Sequence, residues 1–509
     1  MSTTGTSTVE QPRVRATKKQ WAALAVLMLP TLLVSIDNTV LSFALPSIAR
    51  DLRPTAAAQL WIVDVYPLVL AGLLVAMGNL GDRFGRRRML MIGASGFGIV
   101  SVFAAFAPDA TWLIAARVLL GIFGAMIMPA TLSLLRTLFV DRRQRRLAIA
   151  VWASGFSAGS AVGPLVGGVL LEHFWWGSVF LIAVPLLLPL LVLAPILVRE
   201  SKDPTPGPFD PLSIVLSMLT LAPAVYAVKE FATAGLGPVP VVLLAVSVVS
   251  GVLFVRRLLG RENPMLDMRL FRVPSFSGAV VVNLVSVFSL VGFLYFITQH
   301  LQLVVGLSPF DAAMALAPGI VVIIVAGLAV VPVVRWVRPG FVMAFGLTLS
   351  LVAYASIAII GSDATIVSLI VAFCVLGAGI GAAETLSNDL IISSVPEDKA
   401  GAASGVSETA YELGAVLGTA VLGSVLTASY RSSIVVPDGV PGADATASRD
   451  TLGGAVEVAS TLPDGLGETL LASARHAFDS GVVTTSWVAV ALMALAITVT
   501  LVTLRKARG

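Results

Sequence analysis

The 509-residue chain is 57% hydrophobic and only 12% charged, with a mean hydropathy of +0.95; a soluble globular chain carries about twice that share of charge, so a water-soluble domain is excluded. The net charge of +4 comes from Lys and Arg dispersed among loops, without the clustered basic face and aromatic readers that nucleic acid requires. Cys374 is the single cysteine, and His173, His300 and His476 lie far apart, which excludes an intrachain disulfide and a Cys metal site and marks the histidines as surface or interface residues.

Each membrane-spanning helix needs about 20 apolar residues. Fourteen such stretches follow one another, near 21–45, 57–78, 89–107, 111–135, 147–171, 178–198, 211–231, 236–255, 275–297, 311–333, 340–361, 365–389, 402–427 and 484–504. The alternating strands of about 10 residues that mark an outer-membrane barrel are absent, so the expected fold class is an all-α polytopic membrane protein. Cytoplasmic loops are enriched in Lys and Arg, and placing both termini in the cytoplasm puts 26 of the 33 basic residues on that side.

In chain order, a Ser/Thr-rich cytoplasmic tail (1–20) precedes an apolar run too long for a signal-peptide core. A six-helix bundle (21–198) leads to a Pro/Gly-rich linker (199–210), two additional helices (211–255) and a charged cytoplasmic loop (256–274). A second six-helix bundle (275–504) and a short tail (505–509) complete a plan of six plus two plus six. Many transporters place their site between two halves near mid-bilayer. The second bundle contains a long extracellular segment, 431–483, in which 467–478 can form an amphipathic surface helix; the segment reads as a tolerated insertion or as a substrate lid.

Several motifs stand out along this plan. SIDNTVLSFALP (35–46) puts Asp37 in the first span, and LWIVDVY (60–66) puts Trp61, Asp64 and Tyr66 in the second. GNLGDRFGRRRML (78–90) forms a charged turn with Asp82, Arg83 and Arg86. ARVLLGIFGA (116–125) carries Arg117, and GSAVGPLVGG (159–168) carries Gly159, Gly163, Pro164, Gly167 and Gly168. On chemistry alone the last is a small-residue packing face with a proline that removes a backbone hydrogen bond and kinks the helix.

The 78–90 segment resembles the loop signature of the major facilitator superfamily at nearly every position. The 35–46, 60–66, 116–125 and 159–168 segments resemble motifs of its fourteen-span drug:proton antiporters, with Leu120 where the fourth-span motif usually has Gln. HLQLVVGLSP (300–309), ETLSNDLIISSVP (384–396) and KAGAASGVSETAYELGAVLGTAVLG (399–423) resemble segments of quaternary-ammonium and quinolone exporters of that family. The resemblance implies the major facilitator fold, a bacterial cytoplasmic (inner) membrane location, and a gating role for the fifth-span glycines and Pro164.

A charged side chain at the bilayer centre costs roughly 2.5–3.5 kcal/mol on insertion scales, which makes each ionisable residue in a span a candidate for function. At a rise of 1.5 Å per residue, Asp37, Asp64 and Arg117 all fall in the outer third. Arg117 can neutralise either acid, as a static ion pair or as part of the mechanism. Trp61 and Asp64 share a helical face and offer an aromatic surface with a negative charge to an organic cation; Trp61 can equally anchor the interface. Tyr66 joins them as a substrate contact.

Glu408 and Glu412 lie four residues apart on one face nearer the cytoplasm. Two neighbouring carboxylates in a low-dielectric interior resist joint ionisation, so the pair can hold a proton; the alternative is hydrogen bonding to adjacent helices. Proton coupling is expected at Glu408, Glu412 and Asp37, and substrate binding at Asp64, Trp61, Tyr66 and Glu412. Glu384 reads as interfacial, and Asp311 as an acid complementing a helix start. Asp82, Arg86 and Asp141 are expected to form a charge network that stabilises one facing state.

The functional expectation is export of amphipathic organic cations, including quaternary ammonium compounds, dyes and fluoroquinolones, in exchange for protons and by alternating access. The pump would act as a monomer in the lipid bilayer, driven by the proton gradient, with no cofactor, no metal and no nucleic acid. A proton-coupled nutrient symporter is the second reading, opposed by the fifth-span motif. A membrane-embedded enzyme or receptor is the third, opposed by the lack of a His/Cys metal cluster, of a nucleophile motif and of any sizeable soluble domain; proton-driven export needs no ATP-binding loop, and no G-x-x-x-x-G-K-[ST] is present.

Overall fold

The computed structural model describes residues 16–139, 141–202, 210–234, 237–261, 264, 266–395 and 400–504. Most of the expected tails 1–20 and 505–509 and of the linker 199–210 lies outside them. Every regular element among the described residues is helical: α1 (Lys18–Leu52), α2 (Ala56–Phe84), α3 (Arg86–Ala105), α4 (Ala110–Leu138), α5 (Arg142–His173), α6 (Ser178–Leu181), α7 (Ala183–Leu197), α8 (Pro211–Ala234) and α9 (Pro238–Leu259). They continue as α10 (Pro274–Gln299), α11 (Pro309–Val333), α12 (Pro339–Ile360), α13 (Ile366–Ser393), α14 (Ala400–Gly418), α15 (Ser424–Ser433), α16 (Gly442–Asp450), α17 (Leu452–Thr461) and α18 (Asp464–Leu504). A π-helical turn, Thr419–Gly423, joins α14 to α15.

Among the described residues, thirteen helical stretches are long and apolar enough to cross a bilayer. The 32-residue α5 is not one of them, but it contributes a further apolar run, Val162–His173. Helices suit these sequences because each satisfies its backbone hydrogen bonds internally, which lipid cannot do. Their starts are marked by side-chain caps: Thr55 accepts from Ala58 N, Asp109 from Trp112 N and Ser308 from Asp311 N.

Two groups of helices share one apolar core. In the first, α1 packs on α5 and α7, α2 on α4, and α3 on α4 and α7; in the second, α13 packs on α10, α11 and α12, α10 on α14, and α12 on α18. The groups meet where α5 crosses α11 and where α2 crosses α14. α8 and α9 form a hairpin, and α8 leans on both α2 and α15. The hairpin is pinned at one end by Asp210, whose carboxylate takes Arg257 at 2.9 Å and Ser213 Oγ at 2.6 Å. Burial pushes the Asp210 carboxyl up, but these hydrogen bonds outweigh it and hold the group down at about 2.

The small residues of α5 explain its place at this junction. A Cβ on Gly163 would stand 2.2 Å from Thr39 Oγ1 of α1, and one on Gly168 would stand 2.9 Å from the Phe310 backbone of α11. Gly159 and Gly167 face α1 in the same way. α5 continues through Pro164 as one helix.

The 431–483 segment is built as helices. The stretch 467–478, expected as a separate surface helix, is instead the amino-terminal part of the 41-residue α18, because no proline interrupts 464–504. α17 lies against α1, where Arg53 pairs with Glu457 at 2.7 Å. Asp450 accepts from Ala56 N at 2.8 Å and also pairs with Arg431. The end of the bundle opposite the α2–α3 turn is thereby tied shut.

Candidate functional site

The acids of α1 and α2 do not share one cation. Asp37 Oδ2 lies 2.5 Å from Arg117 Nη1, and Arg117 Nε donates to the Ile62 carbonyl at 3.1 Å. The Arg117 guanidinium also covers the Tyr66 ring at 4.5 Å, so this arginine fixes α1, α2 and α4 together. Tyr66 thus serves as a platform for Arg117 and packs edge-on against Phe97.

Asp64 has a different partner, Lys229 of α8, whose Nζ stands 2.8 Å from Asp64 Oδ2. The same ammonium lies 3.9 Å above the centre of the Trp61 ring. The carboxylate and aromatic face expected to receive an organic cation are together, as their i,i+3 spacing requires, and are filled by a cation of the chain itself. Both charged groups are removed from solvent, Asp64 at 0% and Lys229 at 2% exposure.

Glu408 and Glu412 are arranged otherwise. Glu412 is 1% exposed; its Oε1 accepts from Asn38 Nδ2 at 3.4 Å, and its Oε2 has no hydrogen-bond partner among the described residues. No cation pairs with Glu384, Glu408 or Glu412 among those residues, and Glu384 is near enough to Glu408 for their charges to repel. Asp37, expected to share proton coupling with this pair, stands beside Arg117.

A cavity of about 290 Å³ lies between the two helix groups at the α2–α3 end, bounded by Asp82, Arg86, Arg136, Trp152 and Glu408. A far smaller one of about 20 Å³ lies deeper, beside Asn38, Asp64, Arg117, Tyr411 and Thr419. Glu408 lines the larger cavity, and Glu412, one helical turn further, touches Asn38, which lines the smaller one.

At the α2–α3 turn, Gly85 adopts φ +119°, where a side chain is disfavoured, and a Cβ there would also stand 2.8 Å from the Glu200 carboxyl. Glu200 accepts from Arg87 N at 3.0 Å and Arg88 N at 3.2 Å, capping α3. Asp82 and Arg86 pair at 2.8 Å, and Arg86 reaches Ser201 Oγ at 3.3 Å. Arg83 is exposed. Asp141 is seen not in this pair but as the cap of α5, accepting from Gln144 N at 2.9 Å. Asp311 sits in the first turn of α11, as its spacing implies, and His300 pairs with Asp479 at 3.1 Å.

Lys229, Asn38 and Glu200 are the contacts that sequence reasoning did not assign. A lysine inside an apolar span, here followed by Glu230, calls for a buried acid on another helix, and Asp64 is such a partner. Glu200 carries no comparable signal, because its partners are backbone amides.

Comparison with known proteins agrees with this architecture. Residues 27–419 match the family model for the Major Facilitator Superfamily. The chain is 55% identical over 492 residues to the multidrug efflux pump LfrA of Mycolicibacterium smegmatis, covering 97% of this chain and 98% of that protein. It is 37% identical over 464 residues to the methyl viologen resistance protein SmvA of Salmonella typhimurium, covering 90% and 93%. Among solved structures, the crystal structure of a bacterial homolog of the human lysosomal transporter Spinster superposes with a TM-score of 0.66 at 17% identity, over 97% of this chain and 99% of that one, a likeness of fold. The family model and these relatives cover nearly the whole chain, which belongs to the Major Facilitator Superfamily.

Proposed function

We propose that the chain is a multidrug exporter that exchanges lipophilic organic cations for protons by alternating access in the bacterial cytoplasmic membrane. It acts as a monomer of fourteen spans, six plus two plus six, with both termini and the α2–α3 turn in the cytoplasm. The similarity to a multidrug efflux pump and to a methyl viologen resistance protein supports a cationic, chemically varied substrate.

The observation that carries this reading is how the buried acids are balanced. Asp37 and Asp64 each have a basic partner at ion-pair distance, and Glu408 and Glu412 have none among the described residues. An isolated carboxylate in an apolar interior is costly and stays uncharged by carrying a proton. A cation entering the larger cavity past Glu408 offers the missing charge partner, so the proton leaves as the cation binds. The linkage is reciprocal: a proton arriving from outside weakens the hold on the cation. Arg117 and Asp37 keep the outer third rigid, while the α2–α3 clasp of Asp82 and Arg86 and the α5 glycines support the change between facing states.

Everted membrane vesicles containing the chain, energised to acidify their lumen, test the reading. Adding ethidium or tetraphenylphosphonium should dissipate the pH gradient at a rate that saturates with cation. A gradient that ignores both cations would rule out cation:proton exchange.

A further inference from the structure

The α8–α9 hairpin stands outside both helix groups, yet α8 sends Lys229 into the interior. There its ammonium makes a 2.8 Å ion pair with Asp64 and approaches the face of Trp61 at 3.9 Å. These are the contacts that an aromatic-lined acidic site offers an organic cation. Tyr226, one turn earlier on α8, extends the aromatic wall, its ring 5.8 Å from that of Trp61. Leu68 of α2, Val225 of α8 and Val416 of α14 close the surroundings with apolar surface.

Building on the reading of the chain as a cation exporter, we propose that Lys229 is a tethered surrogate for the substrate, and that an organic cation occupies the Trp61–Asp64 subsite by displacing its ammonium. The space supports displacement rather than addition. With Lys229 in place, the cavity beside Asp64 is about 20 Å³, roughly enough for one water molecule and far below what an aromatic cation needs. Withdrawing the lysine side chain frees its own volume next to the carboxylate and uncovers the Trp61 face.

The chemistry of the residue suits that role. Lysine carries its charge on a flexible four-carbon stem, whereas arginine would lock Asp64 in a planar two-point grip. Lys229 is five residues from the end of α8 at Ala234, about 7.5 Å along the axis at 1.5 Å per residue, so the released ammonium can snorkel toward the bilayer surface. The site then never holds an unmatched carboxylate, because one cation leaves as another arrives. The exchange also sets specificity: a ligand must offer both a positive charge and a flat or apolar surface to match what Lys229 already makes with Asp64 and Trp61.

Binding of tetraphenylphosphonium to the detergent-purified full chain at pH 8 separates this role from a merely structural one. Lys229→Gln removes the competitor and should tighten binding at least fivefold. Lys229→Arg strengthens the competitor's grip and should weaken binding at least fivefold, with the thermal unfolding midpoint retained. Asp64→Asn/Lys229→Gln should lose the gain of the single variant. A structural lysine predicts the opposite pattern, with both single variants weakened or both unchanged, and that result overturns the inference while wild-type exchange in vesicles stands. If Lys229→Gln does not fold, Lys229→Arg decides alone: binding equal to the unchanged chain rejects displacement. A wild-type chain that binds no organic cation removes the functional reading and this inference with it.

Discussion

Asn38 Nδ2 stands 3.4 Å from Glu412 Oε1, so the residue beside Asp37 in α1 touches the acid of α14 across the junction of the two helix groups. The first group therefore holds a hydrogen-bond donor against the acid proposed to exchange a proton. Asn38→Ala should lower cation-driven proton movement severalfold while costing about 1 kcal/mol of stability, read by vesicle assay and thermal unfolding together. Full transport with normal folding would show that the contact is idle.

Asp37 and Arg117 act as one unit. Asp37→Asn leaves a buried guanidinium without its charge partner, and breaking a buried pair in this way costs about 3–5 kcal/mol. The thermal midpoint should fall clearly in Asp37→Asn and recover partly in Asp37→Asn/Arg117→Gln. Equal midpoints for the single and double variants would mean that the pair contributes little.

The closed end opposite the α2–α3 turn should open during transport. A Cβ built on Gly453 of α17 lies 3.1 Å from Ala49 Cβ of α1, so the two helices need to part by only about 0.5 Å to reach the Cβ separation of a disulfide. In a Cys374→Ser background, Ala49→Cys/Gly453→Cys should form a bond under oxidation that stops transport, and dithiothreitol should restore it. An oxidised, cross-linked protein that still pumps at full rate would place the exit elsewhere.

At the other end, Asp82→Asn breaks the pair with Arg86 and loosens a turn already held by Glu200 and Ser201. Turnover should drop at least fivefold with cation affinity within about twofold, because the charge proposed to hold the cation comes from Glu408 and Glu412 and not from Asp82, which is spent on Arg86. Equal losses in turnover and affinity would contradict a purely conformational role.

Much of this was legible in the sequence, for physical reasons. Apolar runs of about 20 residues declare spanning helices whatever their neighbours, and the rise per residue puts Asp37, Asp64 and Arg117 at one depth. Depth does not give the rotation of one helix against another, so the choice of Arg117 for Asp37 and of Lys229 for Asp64 had to come from the structure. Lys229 was harder still, since it arrives from a helix outside both groups. The short α16 and α17 were hidden because helices of 9 and 10 residues draw their stability from packing rather than from their own pattern. Glu408 and Glu412 were visible as a pair four residues apart; the lack of a cationic partner for them among the described residues was not.

The central claim is that a proton on the Glu408–Glu412 pair is exchanged for a cation. Its most direct measurement is proton release when tetraphenylphosphonium is added to the purified chain in weakly buffered solution, followed with a pH indicator. The unchanged protein should release protons in proportion to the cation bound, and Glu412→Gln should still bind the cation but lose most of that release. Release that persists undiminished in Glu412→Gln and in Glu408→Gln/Glu412→Gln would contradict the account.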